Sequence, residues 1–477
     1  MKAILRHLNK PWVIVLLLLV LATVLRVYNL NQLYVFGADE EYQANIAMTL
    51  VKDFHPIWIG VSASNTGFYL GPFWSYFTSF WLFLSQGDPL ITAYVAALLG
   101  VFTTLAVFYI GWKIFSMRVG LIASILYACL PLIVFFDQKY WNPSTIPLLS
   151  VTMLYSLYKV KENQKYWLLF ALAYGLVFHT HLSLAPFIIL ALLLVRKGIK
   201  KSVLIQATAL FFLVISPLII FDYFHKWSNI TTPLRLGQIA SSRNINLLEK
   251  GKALGETVMR LWYLPPHTIN ANEILTACAK FRSQPSILAV PFLAIVLIFF
   301  CRKQTWKNEN SKILSMAIVI IVFSYLLFPG GIDEYYLLGL FPLLLFIPGI
   351  VWHKNLSPIL LLLTVTLGIV SVLTTPNPYG LETKKQKISE VMAIVDDKPY
   401  DLTEKGNCHR FEGWRYLFSV YGRAPERSDI DSTFGWLYPD EITEVSTKYS
   451  VVMEGKDSEN IGFTYQINES RQKLLDN

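Results

Sequence analysis

Residues Trp12 to Tyr42 read WVIVLLLLVLATVLRVYNLNQLYVFGADEEY. The stretch is apolar except for Thr23 until Arg26, and the acidic triplet Asp39-Glu40-Glu41 follows about a dozen residues later. An apolar run near bilayer-crossing length, closed by a cation and followed by a polar segment, is the pattern of a helix leaving a membrane. The run is long, and Arg26-Val27-Tyr28 is not the small-residue site of a cleaved signal peptide. It is expected to stay as the first span.

The same pattern recurs along the chain as far as Leu373. Of 477 residues, 54% are apolar and 15% charged, where a soluble domain carries about 25% charged residues. Aromatic residues flank many of the runs, as in an interfacial belt. Spans are predicted near 11–27, 89–110, 119–136, 143–158, 166–180, 182–195, 202–221, 286–301, 313–328, 337–352 and 356–374. The stretch Tyr166 to Val195 decides the count. Lys159, Lys161 and Lys165 precede it, and Arg196, Lys197, Lys200 and Lys201 follow it. With both clusters cytoplasmic the stretch crosses twice, turning at His179-Thr180-His181.

With the N-terminus inside, the short inner segments hold seventeen Lys and Arg, whereas among the short outer turns only one holds a cation, Lys139. Cytoplasmic loops carry this excess. The net charge of +9 is therefore read as inner-loop charge, and no nucleic-acid partner is expected. The expected fold is mainly α: a polytopic helical membrane protein of about eleven spans. Residues 1–375 form the membrane part, with outer loops at 28–88 and 222–285, and 376–477 form an outward C-terminal tail. The tail has ordinary soluble composition. It is read as a small α+β domain or an appendage on the spans, with an apolar-aromatic stretch from Trp414 to Tyr421. In the first loop, Ala44, Ala47, Met48 and Val51 have helical spacing, and such a helix can lie along the membrane surface. Leu247 to Trp262 reads as a short helix in the second.

Ionisable groups are nearly absent at mid-span. Asp39, Glu40, Asp137, Lys139, His179, His181, Asp222, His225, Asp333 and Glu334 all fall near outer span ends. Charges at mid-depth mark ion and substrate pathways, so their absence disfavours the alternative of a transporter or lipid flippase of envelope glycan precursors. A receptor working through the tail is the third class considered. Gathering at one interface points to chemistry there. Three carboxylates at a helix start also suit the helix dipole, with Asp39 as a natural N-cap. In the functional reading, one carboxylate is the general base that a hydroxyl acceptor needs before it can attack.

Several segments together resemble one family. Arg26 is followed by Asp39-Glu40-Glu41-Tyr42. The segment Gly67-Phe68-Tyr69-Leu70-Gly71-Pro72-Phe73-Trp74 closes the first loop, and Trp141-Asn142-Pro143 opens the fourth span. Gly175 to Pro186 forms a short hairpin, and Glu334-Tyr335-Tyr336 with Pro342 forms a late outer turn. In these features, over roughly residues 12 to 375, the chain resembles the C-type membrane glycosyltransferases, the family of the protein O-mannosyltransferases and the lipid A aminoarabinose transferases. The resemblance implies a polyprenyl-phosphate sugar donor and inverting transfer to an acceptor hydroxyl of a lipid, glycan or protein. It implies Asp39 as base and Glu40 as its acidic partner.

Relatives carry a Lys before the loop-closing Pro, in contact with the donor phosphate; this chain has Gly71. The phosphate then falls to Tyr69, Lys139, Arg235, Arg243 or Arg260, with Arg260 first. The candidate substrate contacts are Tyr69, Lys139, His181, Arg260, Glu334 and Tyr335. No cofactor and no metal are expected, since His179 and His181 lack a third ligand nearby and the nearer relatives work without one. Asp137, Asp333 and Glu334 beside Asp39 would be the alternative metal set. No Gly-rich phosphate loop is present, so the donor is lipid-linked. Cys129, Cys278, Cys301 and Cys408 lack metal-ligand spacing; of these, Cys278 and Cys408 share the outer side. Asn229-Ile230-Thr231 and Asn468-Glu469-Ser470 match the N-glycosylation sequon. Sparse cysteine and the lack of eukaryotic targeting signals fit a multi-pass protein of a prokaryotic plasma membrane.

Overall fold

The structure is a computed structural model that describes residues 11–62, 67–195, 198–232, 235, 246–264, 286–328, 333–406, 410–434, 447–456 and 461–469. Arg243, Cys278, Cys408, the Pro265-Pro266 break and Ser470 of the second sequon lie outside them.

Apolar segments that enter a bilayer must satisfy their own backbone, and a helix does so within one segment. A helix stands at each of the eleven predicted positions. Leu90–Ile114, Glu309–Leu327 and Leu356–Thr374 are long and apolar enough to cross a membrane. Two pairs reach that length together but are bent: Met117–Cys129 with Pro131–Asp137 by 67°, and Lys201–Val214 with Ser216–Phe224 by 59°. The other predicted spans hold shorter helices, from the 17 residues of Pro11–Val27 to the 9 of Phe187–Val195.

The bends depart from the straight spans expected from hydropathy, and proline explains the first. Pro131 has no N–H and breaks the hydrogen-bond ladder of the preceding turn. The carbonyls left over are taken by Arg26, whose guanidinium donates to Tyr127 O at 3.1 Å and to Ala128 O at 3.3 Å. Arg26 is fully buried. Its charge is matched by Asp137 at the end of the second half-helix, with Nε to Oδ2 at 2.9 Å and the nearer terminal nitrogen at 2.7 Å. The Tyr127 hydroxyl donates to the other oxygen of Asp137 at 3.4 Å. Gly100 makes room for the pair: a Cβ there would lie 2.4 Å from Asp137 Oδ2 and 2.5 Å from Arg26 Nε.

The C-terminal unit is a four-stranded sheet in the order β2-β1-β3-β4, with β1 at Tyr400–Lys405, β2 at Arg427–Ser428, β3 at Tyr449–Lys456 and β4 at Gly462–Glu469. β1 runs parallel to β2 and β3, while β3 and β4 are antiparallel. Helices Leu381–Val395 and Trp414–Tyr421 cover it. Its core residues Leu381, Ile388, Leu402, Leu417, Phe418 and Val451 belong to one cluster with Tyr34, Phe36, Ala44, Ala47 and Trp74 of the first loop. The tail is thus no loose appendage, because it shares a core with the loop that bears the acidic triplet.

That sharing corrects one expectation. The first-loop helix, Ala38–Asp53, does not lie free on a membrane surface; Ala44 and Ala47 are buried among the tail and helix Phe73–Leu84. The exposed apolar stripe is on Phe73–Leu84 instead. Phe73, Tyr76, Phe80 and Phe83 stand outward there at helical spacing, as in an interfacial helix.

Candidate active site

The site is built on the start of the first-loop helix. Glu40 at its third position reaches back to accept from Gly37 N at 3.0 Å, half of the reciprocal arrangement that closes many helix starts. Successive residues then diverge by about 100° around the axis, and the triplet splits three ways. Asp39 is exposed. Glu40 is buried, with Oε1 at 3.5 Å from Lys139 Nζ. Glu41 is fully buried and accepts from Tyr416 N of the tail at 2.8 Å. Burial pushes the Glu40 carboxyl above its ordinary range; Lys139 opposes this and Asp39 adds to it.

Lys139 leads into an aromatic wall. Its ammonium lies 4.2 Å from the centre of the Trp141 ring. Trp141 is 4.7 Å from Tyr335, and His181 packs 5.4 Å from Tyr335 and 5.3 Å from Tyr336, centroid to centroid. The Tyr335 hydroxyl is raised by burial first, then by Tyr336, Asp333 and Asp39. Arg260 donates from Nε to Glu334 Oε1 at 2.8 Å, beside Tyr335 in the chain.

Six of the eight residues singled out in the sequence thus form one linked group, Glu40, Lys139, His181, Arg260, Glu334 and Tyr335, and the seventh, Asp39, precedes Glu40 in the chain as an exposed residue. The eighth, Tyr69, stands further along, donating its N–H to Asn229 Oδ1 at 2.7 Å and packing on Phe221. It lies in the loop-closing segment, bridged to Ser62. Two geometries differ from expectation. Arg260, the first choice for the phosphate, is already matched by Glu334, with side chains only 14% and 13% exposed. Glu40 points inward to Lys139 and not to open space. Trp141 and Tyr336 were quoted as turn residues without a role, and the structure puts both in the wall.

The missing loop Lys also has a physical account. A Cβ on Gly71 would lie 2.1 Å from Nδ1 of His179, so no side chain fits there. The His179 ring is held on both sides. Nδ1 accepts from Phe73 N at 3.3 Å, which leaves the proton on Nε2 to donate to Val214 O at 2.8 Å. With both nitrogens used, His179 fastens the loop-closing segment to the hairpin. Asn229 of the first sequon is similarly engaged, since its N–H donates to Asp222 Oδ1 at 3.1 Å while its Oδ1 accepts from Tyr69. Among the described residues no three His, Cys, Asp or Glu side chains gather as a metal site.

Residues 70–221 match the family model described as dolichyl-phosphate-mannose-protein mannosyltransferase. No curated protein matches the sequence. Among solved structures, ArnT from Cupriavidus metallidurans bound to undecaprenyl phosphate is similar with a TM-score of 0.56 at 11% identity, over 94% of this chain and 94% of that one. The same protein in its apo state gives 0.55 at 11%, over 94% and 93%. The oligosaccharyltransferase from Archaeoglobus fulgidus in its apo form gives 0.52 at 12%, over 93% of this chain and 70% of that one. At such identities the likeness is one of fold. The resemblance drawn from the loop motifs agrees with these matches: the family model runs from Leu70 in the loop-closing segment across the bent helix and the His179 hairpin, and the fold is similar to that of ArnT.

Proposed function

We propose that this chain transfers a sugar from a polyprenyl-phosphate donor to an acceptor hydroxyl, with inversion, on the extracytoplasmic face of a prokaryotic plasma membrane. One observation carries the reading. Asp39 is the exposed member of the triplet, and its neighbour Glu40 holds Lys139, whose ammonium lies over the Trp141 ring of the aromatic wall. A base must be accessible to its proton donor, and a phosphate leaving group needs cationic partners more than it needs an acid. The lipid-linked donor is supported by the family match and by the undecaprenyl phosphate bound to the similar ArnT. The outward face and the eleven crossings rest on the loop charges.

In the reaction, Asp39 takes the proton of the acceptor hydroxyl as its oxygen attacks the anomeric carbon from the side opposite the phosphate. The bond from that carbon to the phosphate oxygen breaks, and its electron pair leaves with the lipid phosphate. Lys139, ion-paired with Glu40 at 3.5 Å, stabilises the developing charge. Glu40 keeps Lys139 at the site, and Arg260 joins by exchanging Glu334 for phosphate. Trp141 and Tyr335 offer flat faces to the sugar.

The test is a transfer assay in membranes with radiolabelled polyprenyl-phosphate sugars, comparing wild type with Asp39→Asn. Label is expected to move only with wild type, and into a product of inverted configuration. Equal transfer by both proteins, retained configuration, or no transfer from a full donor panel counts against the reading.

A further inference from the structure

The first loop is gripped by the tail just before the triplet. Asn377 Nδ2 donates to Leu33 O at 2.8 Å, and Leu381 N donates to Tyr34 O at 2.8 Å. Lys384 Nζ donates to Phe36 O at 2.8 Å and also to Glu412 O. Three of the four carbonyls from Leu33 to Phe36 are thereby held by the C-terminal unit. The loop's far end is held too: the Tyr416 hydroxyl donates to Gly87 O at 2.7 Å, and the Tyr421 hydroxyl donates to Asp88 Oδ1 at 2.5 Å. The Phe36 and Tyr416 rings stack at 5.5 Å.

The tail reaches the triplet itself through a hydrogen bond from Tyr416 N to Glu41 Oε1, at 2.8 Å. Tyr416 lies in the first turn of helix Trp414–Tyr421, where backbone N–H groups lack partners within the helix. A carboxylate there is doubly suited, as hydrogen-bond acceptor and as a charge at the positive end of the helix. With Gln43 Nε2 on Ser75 Oγ at 2.9 Å further along, the bond helps set the rotation of the first-loop helix about its axis. Asp39 precedes Glu41 by two residues on that rigid helix, so its direction is fixed with it.

We infer that Glu41 is a positioning residue, and that the C-terminal unit sets the aim of Asp39 through the Tyr416 N–H. This rests on the reading of Asp39 as the base. Glu41 touches neither substrate nor reacting atoms. Lys139, Trp141 and Arg260 lie on other elements, so loss of the bond acts first on Asp39, and proton removal suffers more than donor binding. A misplacement of about 1 Å at a reacting group costs on the order of 100-fold in rate.

The test uses the full chain in proteoliposomes with four variants. Glu41→Ala and Glu41→Asp are expected to lower kcat by roughly 10- to 100-fold, the latter because a shorter side chain reaches Tyr416 N only if the helix turns. Binding of undecaprenyl phosphate, measured by native mass spectrometry, is expected to fall much less than kcat in both. Glu41→Gln keeps an oxygen acceptor and is expected to restore most of the rate. Asp39→Asn separates the two levels. Transfer surviving in Asp39→Asn removes the base and leaves Glu41 nothing to aim. Transfer lost in Asp39→Asn but at wild-type kcat in Glu41→Asp overturns the positioning role alone. A fall in lipid binding that matches the fall in kcat, or no rescue by Gln, also overturns it, and Glu41→Asp decides the case if Glu41→Ala does not fold.

Discussion

Arg26 and Asp137, on two different helices, close a buried ion pair at 2.7 Å over a proline break. The pair does two things: it neutralises a charge in an apolar setting and gives donors to carbonyls that Pro131 leaves open. Removing one partner of such a pair typically costs about 3–5 kcal/mol, because the other charge is left buried. Arg26→Ala and Asp137→Asn are expected to lower the thermal midpoint sharply in detergent. Gly100→Ala is expected to do the same by overlap. A midpoint within a degree or two of wild type in all three would remove the clamp from the account of stability.

Gly71 and His179 make a second, reciprocal test. Gly71→Ala forces the His179 ring off its two bonds and is expected to destabilise by about 1–3 kcal/mol, the usual cost of overpacking. His179→Ala leaves a cavity and an unpartnered Phe73 N–H. The double variant relieves the overlap, so its cost is expected to be well below the sum of the single ones. Simple additivity in a double-mutant cycle would show that the two sites do not touch.

Lys139 and Arg260 differ in how freely they meet a phosphate. Lys139 is held at 3.5 Å by Glu40, whereas Arg260 makes a 2.8 Å bond to Glu334. Lys139→Met is expected to raise the donor KM by about 10- to 100-fold, from a charged hydrogen bond of roughly 1.5–3 kcal/mol. Glu334→Gln frees Arg260 and is expected to lower the donor KM slightly. Steady-state kinetics over a donor series decides both.

Docking of the tail carries a pH signature. Burial pushes the Glu41 carboxyl from its ordinary 4.5 up to about 7; the Tyr416 N–H, Lys384 and Arg415 work against burial, and Asp431 works with it. An acid raised on folding holds its proton where the unfolded chain has released it. Its contribution to stability is full below pH 4.5 and is lost as pH rises towards 7. Glu404, also raised chiefly by burial, and Lys384, lowered chiefly by burial, lie in the same cluster. The difference between wild type and Glu41→Gln isolates Glu41. Unfolding midpoints are expected to shift in favour of Glu41→Gln as pH rises across that window, and parallel curves would contradict the assignment.

What was legible in the sequence follows from contrast. Charges stand out in an apolar chain, so Asp39, Lys139, His181 and Glu334 could be picked out and assigned to one face before any geometry. Their pairing could not. Glu40 meets Lys139, and Arg260 meets Glu334, across different loops, and no spacing rule links residues that only tertiary packing joins. Trp141 was visible but unremarkable where aromatics flank most spans. Pro131 and Pro217 were readable break signals, hidden by hydropathy that runs straight through them. The tail's soluble composition was plain, but the pairing of β1 with β3 joins strands far apart in the chain. Its grip on residues 33–41 had no local signal at all.

The bond between Glu41 and Tyr416 spans 375 residues of chain. At about 5–20 residues per second of synthesis, the carboxylates are made early, and the helix that orients them follows about 20–75 s later. Until then the loop lacks its anchor. On the proposed mechanism, a chain that stops before Tyr416 would carry the acidic triplet without the bond that aims it, so the order of synthesis would hold activity down until the C-terminal unit has folded.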